Sequence, residues 1–403
     1  MRNLGFVGRL VALGAMAATL GVGVAFAQQA AKPVRVGIFL PLTGPAAAGG
    51  AANRLGYEMA ISEINAAGGI AGRPIVTFYG DDQGDPTVGV GEIKRLIFQE
   101  HVDVVVGTQN SQIELAALPV LNEGKVAAIS LAGSSALTAE AGPYHFSLAP
   151  SATTLGSAMV EFAAKELKPK NSALIYDDGA AAKSGVEGIK ATMAEMKTPI
   201  TGEQQYKFHP SDVTPQLLSL RRGNPDILYL FSASQDDIGV ILKNSQEIDW
   251  NVKIVGSLAV GASGALATRV AGPHAFDNTI AQTFERFTYC ASAGVGSPVV
   301  SDFIKKVQAY SKSTTARADY FNIANGYDSV YIFKTAIEKS GATDGPTLAA
   351  WIEQHASELQ VLSAARLVAS KGNHFLVGPN GLTMVVHPEL RNEQGLQKRA
   401  GAC

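Results

Sequence analysis

Short apolar runs alternate with helical stripes along most of the chain. The first run, Val34–Leu40, is nearly continuous, which is typical of a strand buried on both faces of a parallel sheet. A loop of small residues follows, and then apolar positions at helical spacing: Ala52, Leu55, Met59 and Ile64. Ligands of open α/β sheets bind where a strand ends and the next helix begins. The pattern predicts a ligand site beside residues 41–45, although an ordinary βα turn of small residues has the same pattern.

The alternation continues in two series. Further strands are predicted at residues 75–79, 102–106, 126–130 and 144–148, and then at 173–176, 204–208, 226–231, 252–255 and 278–283. Helices are predicted between them, one of them at 262–271, and three later helices at 298–312, 320–340 and 346–358. Two βαβ series predict an α/β protein with two doubly wound parallel-sheet lobes. The late helices are expected to pack back on the first lobe.

The N-terminal residues predict export rather than a folded element. Arg2 and Arg9 precede the apolar stretch 10–25, and Ala25-Phe26-Ala27 has the A-x-A form of a cleavage signal. We expect residues 1–27 to be a signal peptide cleaved before Gln28, which makes the protein periplasmic. Its removal leaves 31 basic against 35 acidic residues, a net charge of −4. That charge gives no indication of nucleic-acid binding.

The chain has two cysteines, Cys290 and Cys403. Disulfides form in the oxidising compartments that exported proteins enter, so the two thiols are expected to pair. Two free thiols remain the alternative.

Several segments together resemble the leucine/isoleucine/valine-binding proteins, the type I periplasmic solute-binding proteins of ABC transporters. They are VRVGIFLPLTGP, LGYEMAISEINAAGGIAGRPI, DDQGDP, VVVGTQNS, AAISLAGSSALT and, on a late helix, NGYDSVYIFKTAIEKSG. The resemblance implies two lobes joined by a three-segment hinge, with crossings near residues 148–150, 280–284 and 374–379. It implies lobe 1 at 28–148 plus 284–374, lobe 2 at 149–283 plus 375–390, and a C-terminal tail at 391–403.

The resemblance also implies a site for a ligand carboxylate. The family's serine after its GxxxS turn falls on Ser111, and its Ala-Thr pair falls on Gly133 and Ser134. Ser111 opens a predicted helix, where backbone N–H groups and the helix dipole favour an anion. The alternative is that Ser111 only caps its own helix, in a capping box with Glu114.

Other family positions carry changed residues. Side chains that are aromatic in the family fall on Gly49, Ala181 and Ala233, and the acid that receives a ligand's ammonium group falls on Leu258. These changes favour a bulky or aromatic carboxylate without an ammonium group. A branched-chain or hydrophobic amino acid is the alternative ligand, and it needs a replacement acid. The candidates are Asp177, Asp178, Asp236 and Asp237, of which the last two are also ordinary first-turn charges.

The sequence contains no GxSxG, HExxH or Cys-His cluster, so an enzyme is not expected. No cofactor, metal or nucleic acid is expected either. The prediction is a monomeric ABC-importer protein that delivers a small-molecule carboxylate to a permease in the inner membrane. A ligand-sensing domain that acts through a partner receptor is the second alternative.

Overall fold

The computed structural model describes residues 32–44, 47–292, 296–311 and 319–401. Its first sheet contains five parallel strands in the order β2-β1-β3-β4-β5. These strands are β1 (Val34–Leu40), β2 (Ile75–Asp81), β3 (Val104–Val106), β4 (Ala127–Ser130) and β5 (His145–Ser147). We call the body around this sheet lobe 1.

The second sheet forms lobe 2 and has the order β12-β10-β9-β8-β6-β7. Its strands are β6 (Ser172–Asp177), β7 (Ile200–Tyr206), β8 (Ile227–Phe231), β9 (Lys253–Gly256), β10 (Thr279–Phe284) and β12 (Leu382–Val386). Strand β12 is antiparallel to β10, and the other pairs are parallel. The predicted fold class is confirmed: both sheets are wound by helices on two faces.

Helices connect the strands and cover both sheets. They are α1 (Ala47–Ala66), α2 (Pro86–Lys94), α3 (Ser111–Gly124), α4 (Ala152–Phe162), α5 (Ala180–Glu195), α6 (Thr214–Arg221), α7 (Gln235–Glu247), α8 (Leu258–Ala262), α9 (Gly264–Ala271), α10 (Pro298–Tyr310), α11 (Tyr320–Ser340) and α12 (Gly345–His355). In lobe 1, one face of the sheet packs on α1 and on the late helices α10, α11 and α12. Its other face packs on α2 and α3. No helix among the described residues is long and apolar enough to cross a membrane.

Helices α1 and α11 approach each other unusually closely. A Cβ added at Gly56 would lie 2.0 Å from the carbonyl oxygen of Ile323, and one at Gly326 would lie 2.4 Å from that of Asn53. The contact therefore requires glycine on both helices, because any larger residue would separate the two backbones. Asn53 also donates its side-chain N–H to the carbonyl oxygen of Asn322 (3.0 Å). This close contact between α1 and α11 fixes the position of α11 on the lobe 1 sheet.

The structure adds detail to three sequence predictions. Strand β7 begins at Ile200 rather than at residue 204, because it is an edge strand whose half-exposed side chains form no apolar run. The helix predicted at 262–271 corresponds to α9, and the short helix α8, which ends before Ser263, was not predicted. The crossing predicted near 280–284 overlaps β10, which remains paired with β12 through Phe284, and its exact position stays a prediction.

The C-terminal segment is ordered against both lobes up to residue 401. Strand β13 (Gln397–Lys398) pairs with β11 (Thr288–Tyr289). The side-chain N–H of Gln397 donates to the carbonyl oxygen of Gly261 (2.9 Å). Cys290 is disulfide-bonded, and Cys403 lies outside the described residues, so their pairing stays a prediction. The exact residue boundaries of the lobes also stay predictions.

Candidate functional site

Two adjoining cavities lie between the lobes, at the carboxyl ends of the strands. The inner chamber has a cavity volume of about 90 Å³ and is lined by Leu131, Phe231, Leu258, Phe284, Phe321 and Asn325, among others. The outer chamber has a cavity volume of about 60 Å³ and is lined by Asn110, Ser111, Phe208, His209, Ser234 and Asp236, among others. Gln109, Ala181, Ala233 and Gln235 line both chambers, so the two form one cleft.

The predicted site residues are distributed over both chambers. Ser111 lines the outer chamber, Gly133 and Leu258 line the inner one, and Ala181 and Ala233 line both. Ser134 is buried, with 1% of its surface exposed, and lines neither chamber. Gly49 belongs to α1, but its surroundings lie outside what the structure describes.

The alternative role of Ser111, a capping box with Glu114, is wrong. Asn110 caps α3 instead: its Oδ1 accepts hydrogen bonds from the N–H groups of Gln112 (2.9 Å) and Ile113 (3.4 Å). The hydroxyl of Ser111 is thereby free to contact the loop after β4, and its Oγ accepts from the N–H groups of Gly133 (3.1 Å) and Ser134 (3.0 Å). This arrangement gathers one hydroxyl and two backbone donors at the N-terminus of a 14-residue helix.

The loop after β4 also contacts lobe 2. The Oγ atoms of Ser134 and Ser184 lie 3.4 Å apart, and those of Ser135 and Thr153 (Oγ1) lie 2.6 Å apart. The N–H of Ala152 donates to the carbonyl oxygen of Gly133 (2.6 Å). Both lobes therefore touch directly beside the cleft, as expected of a site that encloses its ligand.

Two of the four candidate replacement acids, Asp177 and Asp178, hold loops of lobe 2 together. Asp177 accepts from the N–H groups of Ala233 (2.7 Å) and Gly179 (2.8 Å), and Asp178 accepts from that of Phe208 (3.0 Å). Burial raises the pKa of Asp177 to about 6 despite these bonds.

The other two acids lie in the first turn of α7. Asp237 accepts from the hydroxyl of Ser234 (3.0 Å) and lies 3.3 Å from the ring of His209. Only Asp236, among the four candidates, lines the cleft. Burial raises the pKa of Asp236, while His209 and Arg269 oppose that shift.

The inner chamber has an uncharged lining. Its polar side chains are neutral amides and hydroxyls, including those of Gln109, Gln235, Asn322 and Asn325. Sequence reasoning missed all four amides and also the ring of Phe321. The signal for the two asparagines was present: they lie three residues apart on the otherwise apolar face of a predicted helix.

A buried polar cluster lies behind Ser111. Burial, reinforced by the nearby carboxylate of Asp82, raises the pKa of Glu114 to about 8. Glu114 Oε1 lies 3.4 Å from His145 Nε2, which lies 2.7 Å from the Oγ of Ser130. Burial lowers the pKa of His145 to about 3, and His374 adds to that shift. Both members of the pair are therefore neutral near pH 7.

Replacing Glu114 with glutamine is expected to flatten the pH dependence of stability. Glu114 binds its proton more tightly in the folded state, so its stabilising contribution is complete below the unfolded value near 4.5 and is lost as pH rises through about 8. The free energy of unfolding of the wild type, minus that of Glu114→Gln, should fall between pH 5 and 9, by at most about 1.4 kcal/mol per pH unit.

Urea unfolding at pH 5, 7 and 9 measures this difference. Glu123→Gln, on the exposed face of the same helix, is the control and should follow the wild type. Parallel pH profiles for the wild type and Glu114→Gln would show that the carboxyl titrates alike in the folded and unfolded chains.

The described residues contain no group of three His, Cys, Asp or Glu side chains able to hold a metal ion. What remains at the cleft is a set of hydrogen-bond donors, neutral amides and apolar walls between two lobes. Clefts of this kind are typical small-molecule sites.

Comparison with known proteins agrees with this geometry. The periplasmic binding protein family model matches residues 33–380. Leu/Ile/Val-binding protein homolog 3 of Brucella melitensis is 28% identical over 339 residues, which cover 83% of this chain and 86% of that protein.

Two solved structures show the same fold. Leucine binding protein LivK of Thermotoga maritima has a TM-score of 0.75 at 18% identity, covering 91% of this chain and 98% of that chain. A solute binding protein of an ABC transporter from Rhodopseudomonas palustris BisB5, in complex with 3,4-dihydroxy benzoic acid, has a TM-score of 0.70 at 20% identity, covering 88% and 93%. Because the family model extends from β1 past the third crossing, the protein belongs to the periplasmic binding proteins of the Leu/Ile/Val-binding family, and it is a solute-binding protein and not an enzyme.

Proposed function

We propose that this protein captures a small carboxylate in the cleft between its lobes and delivers it to an ABC permease in the inner membrane. The ligand that fits the cleft best is a carboxylate with a bulky or aromatic apolar body and no ammonium group. One observation carries this proposal: an uncharged inner chamber adjoins a cluster of N–H and O–H donors at the start of α3.

The donor cluster suits a carboxylate. The N–H groups of Gly133 and Ser134 now donate to Ser111 Oγ, and a carboxylate oxygen at this point would accept from them and from the Ser111 hydroxyl. Hydrogen bonds to a charged group contribute about 1.5–3 kcal/mol each. The helix N-terminus adds a favourable field for an anion.

The inner chamber suits a ligand body that is apolar and broad. Phe231, Phe284 and Phe321 supply aromatic walls, and Ala181 and Ala233 leave room at the boundary of the two chambers. Burial of apolar surface contributes about 25 cal/mol per Å², so a ring that fills the chamber adds several kcal/mol.

A hydrophobic amino acid is the second candidate, and Asp236 is the observation that favours it. Asp236 and Ser111 both line the outer chamber, so one carboxyl could receive the ammonium group while the Ser111 cluster holds the ligand's carboxylate. Both ligand kinds occur with this fold: one structural neighbour is described as a leucine binding protein and another as a complex with 3,4-dihydroxy benzoic acid. The two structural similarities therefore favour neither the aromatic carboxylate nor the amino acid.

The remaining parts of the proposal follow from the sequence. We infer export through a signal peptide at residues 1–27, with the mature chain beginning at Gln28 and acting as a monomer in the periplasm. The lobes are proposed to span 28–148 plus 284–374 and 149–283 plus 375–390. Closure of two lobes about a three-segment hinge would present a different surface to the permease when ligand is bound.

Replacing Ser111 with alanine is expected to weaken carboxylate binding by about 1–3 kcal/mol, because the hydroxyl that donates to the charged ligand is lost. Isothermal titration calorimetry with benzoate and 4-hydroxybenzoate measures the change in affinity. Ser363→Ala is the control: Ser363 is a buried lobe 1 serine that donates to Asp328 (2.7 Å), away from the cleft. It should lower stability and leave affinity unchanged. Equal affinities for wild type and Ser111→Ala would contradict the carboxylate assignment.

A further inference from the structure

Helix α11 presents two side-chain amides to the inner chamber. Asn322 and Asn325 lie three residues apart, which places them beside each other on one face of the helix. Both line the inner chamber, and they are 4% and 2% exposed. Neither lines the outer chamber, where Ser111 lies. The amides therefore line the inner chamber alone, whereas the Ser111 side chain lines the outer one.

The amide oxygen of Asn325 has no hydrogen-bond partner among the described residues. This oxygen, Oδ1, is buried. A buried polar group left unpaired costs about 1–3 kcal/mol, and most such groups in proteins are paired. An amide held at this cost in the wall of a ligand chamber indicates that a ligand group completes its hydrogen bonding.

The neighbouring amide is fixed in one orientation by Asp319. Asn322 Nδ2 donates to Asp319 Oδ2 (2.8 Å), so Asn322 Oδ1 is the part of the amide left to act as an acceptor. The side chain of Gln235, from lobe 2, lies near Asp319 and opposes the rise in pKa that burial imposes on this carboxyl. Asp319 thus orients the Asn322 amide at the inner chamber.

On the basis of the carboxylate-binding function proposed above, we propose that Asn325 and Asn322 form a polar subsite that takes a hydroxyl group at the apolar end of the ligand. A hydroxyl donates one hydrogen bond and accepts others, so it matches an acceptor oxygen on Asn322 and either atom of the Asn325 amide. A methyl group of the same size would leave Asn325 unpaired. A charged group would meet no opposite charge among the side chains that line this chamber.

This subsite makes the protein selective within its ligand class. Sites built to hydrogen-bond a substrate hydroxyl reject analogues that lack it, because buried polar groups then stay unpaired. Asn325 and Asn322 would be specificity-determining residues, and Asp319 a positioning residue that acts through Asn322.

Calorimetry with two isosteric probe pairs tests the subsite. The pairs are 4-hydroxybenzoate with 4-methylbenzoate, and threonine with valine, so both candidate ligand classes are covered. In whichever class binds, the wild type should prefer the hydroxylated member by about tenfold or more. Asn325→Leu, which keeps the side-chain shape without the amide, should abolish the preference. Ser329→Ala, on the same helix with its hydroxyl on the backbone oxygen of Asn325 (2.8 Å), should keep it.

The outcomes separate this inference from the proposed function. If the wild type binds the methyl member as tightly as the hydroxyl member, or if Asn325→Leu keeps the preference, the subsite is refuted and the carboxylate site stands. If no member of either pair binds, both proposals fall. Asn325→Ala is measured in parallel, so that a folding defect in the leucine variant leaves the test intact.

Discussion

Replacing Gly56 with valine is expected to lower the free energy of unfolding by about 3 kcal/mol or more. The first side-chain carbon would lie 2.0 Å from the carbonyl oxygen of Ile323 and 2.8 Å from the backbone N of Tyr327. Both are backbone atoms of α11, so no change of rotamer relieves the clash. The helices must separate, and the packing of α11 on the lobe 1 sheet is lost with them.

Chemical denaturation followed by circular dichroism measures this change. Gly91→Ala is the control, since Gly91 is an exposed glycine within α2 with nothing within 4 Å of an added Cβ. Alanine there should stabilise the protein by up to about 1 kcal/mol, through helix propensity and a less flexible unfolded chain. An unchanged midpoint for Gly56→Val would mean that α1 and α11 are farther apart than the structure shows.

Benzoate and 4-hydroxybenzoate are expected to bind the wild type about a hundredfold more tightly than leucine, isoleucine or valine. The inner chamber has no charged lining residue, and it is lined by Leu258, at the position where the family resemblance implies an acid. An ammonium group buried there without a partner costs several kcal/mol, more than the hundredfold difference requires.

Leu258→Glu should reverse part of this preference. Leu258 is the first residue of α8, where a carboxylate is also favoured by the helix N-terminus. Leucine affinity should rise at least about tenfold, because each 1.4 kcal/mol of charge pairing is a factor of ten. Leu258→Gln, with the same shape and no charge, is the matched control and should not bind leucine more tightly.

Calorimetry on the wild type, the two Leu258 variants and Asp236→Asn decides between the candidate ligands. If leucine binds the wild type more tightly than the aromatic acids do, and Asp236→Asn abolishes that binding, the ammonium group pairs with Asp236 in the outer chamber. The amino-acid function then replaces the aromatic one. Loss of leucine binding in Asp236→Asn, without loss of folding by circular dichroism, is the observation that would assign that role.

The sequence by itself determined the fold. Parallel strands buried on two faces are continuous apolar runs, and glycine, proline and capping residues separate them from helices. The βαβ order of both lobes could therefore be predicted from the sequence. The exception, β7, is an edge strand with exposed alternate residues. Family motifs also pointed to Ser111, Gly133 and Leu258, which line the cleft, since the carboxyl ends of strands border such clefts and strand ends are local features.

Only the tertiary structure decided which polar groups are available to a ligand. Asp177 and Asp236 look equivalent in the sequence, yet Asp177 is bonded to the backbone of Ala233, 56 residues away, and Asp236 lines the cleft. Asn110 rather than Ser111 caps α3, which leaves the Ser111 hydroxyl for Gly133 and Ser134. Asn325 lines the inner chamber because the chain returns to lobe 1 after β10. There α11 packs on α1 through two glycines. Which polar groups stay available is determined by hydrogen-bond partners that are remote in sequence. The local sequence pattern does not reveal those partners.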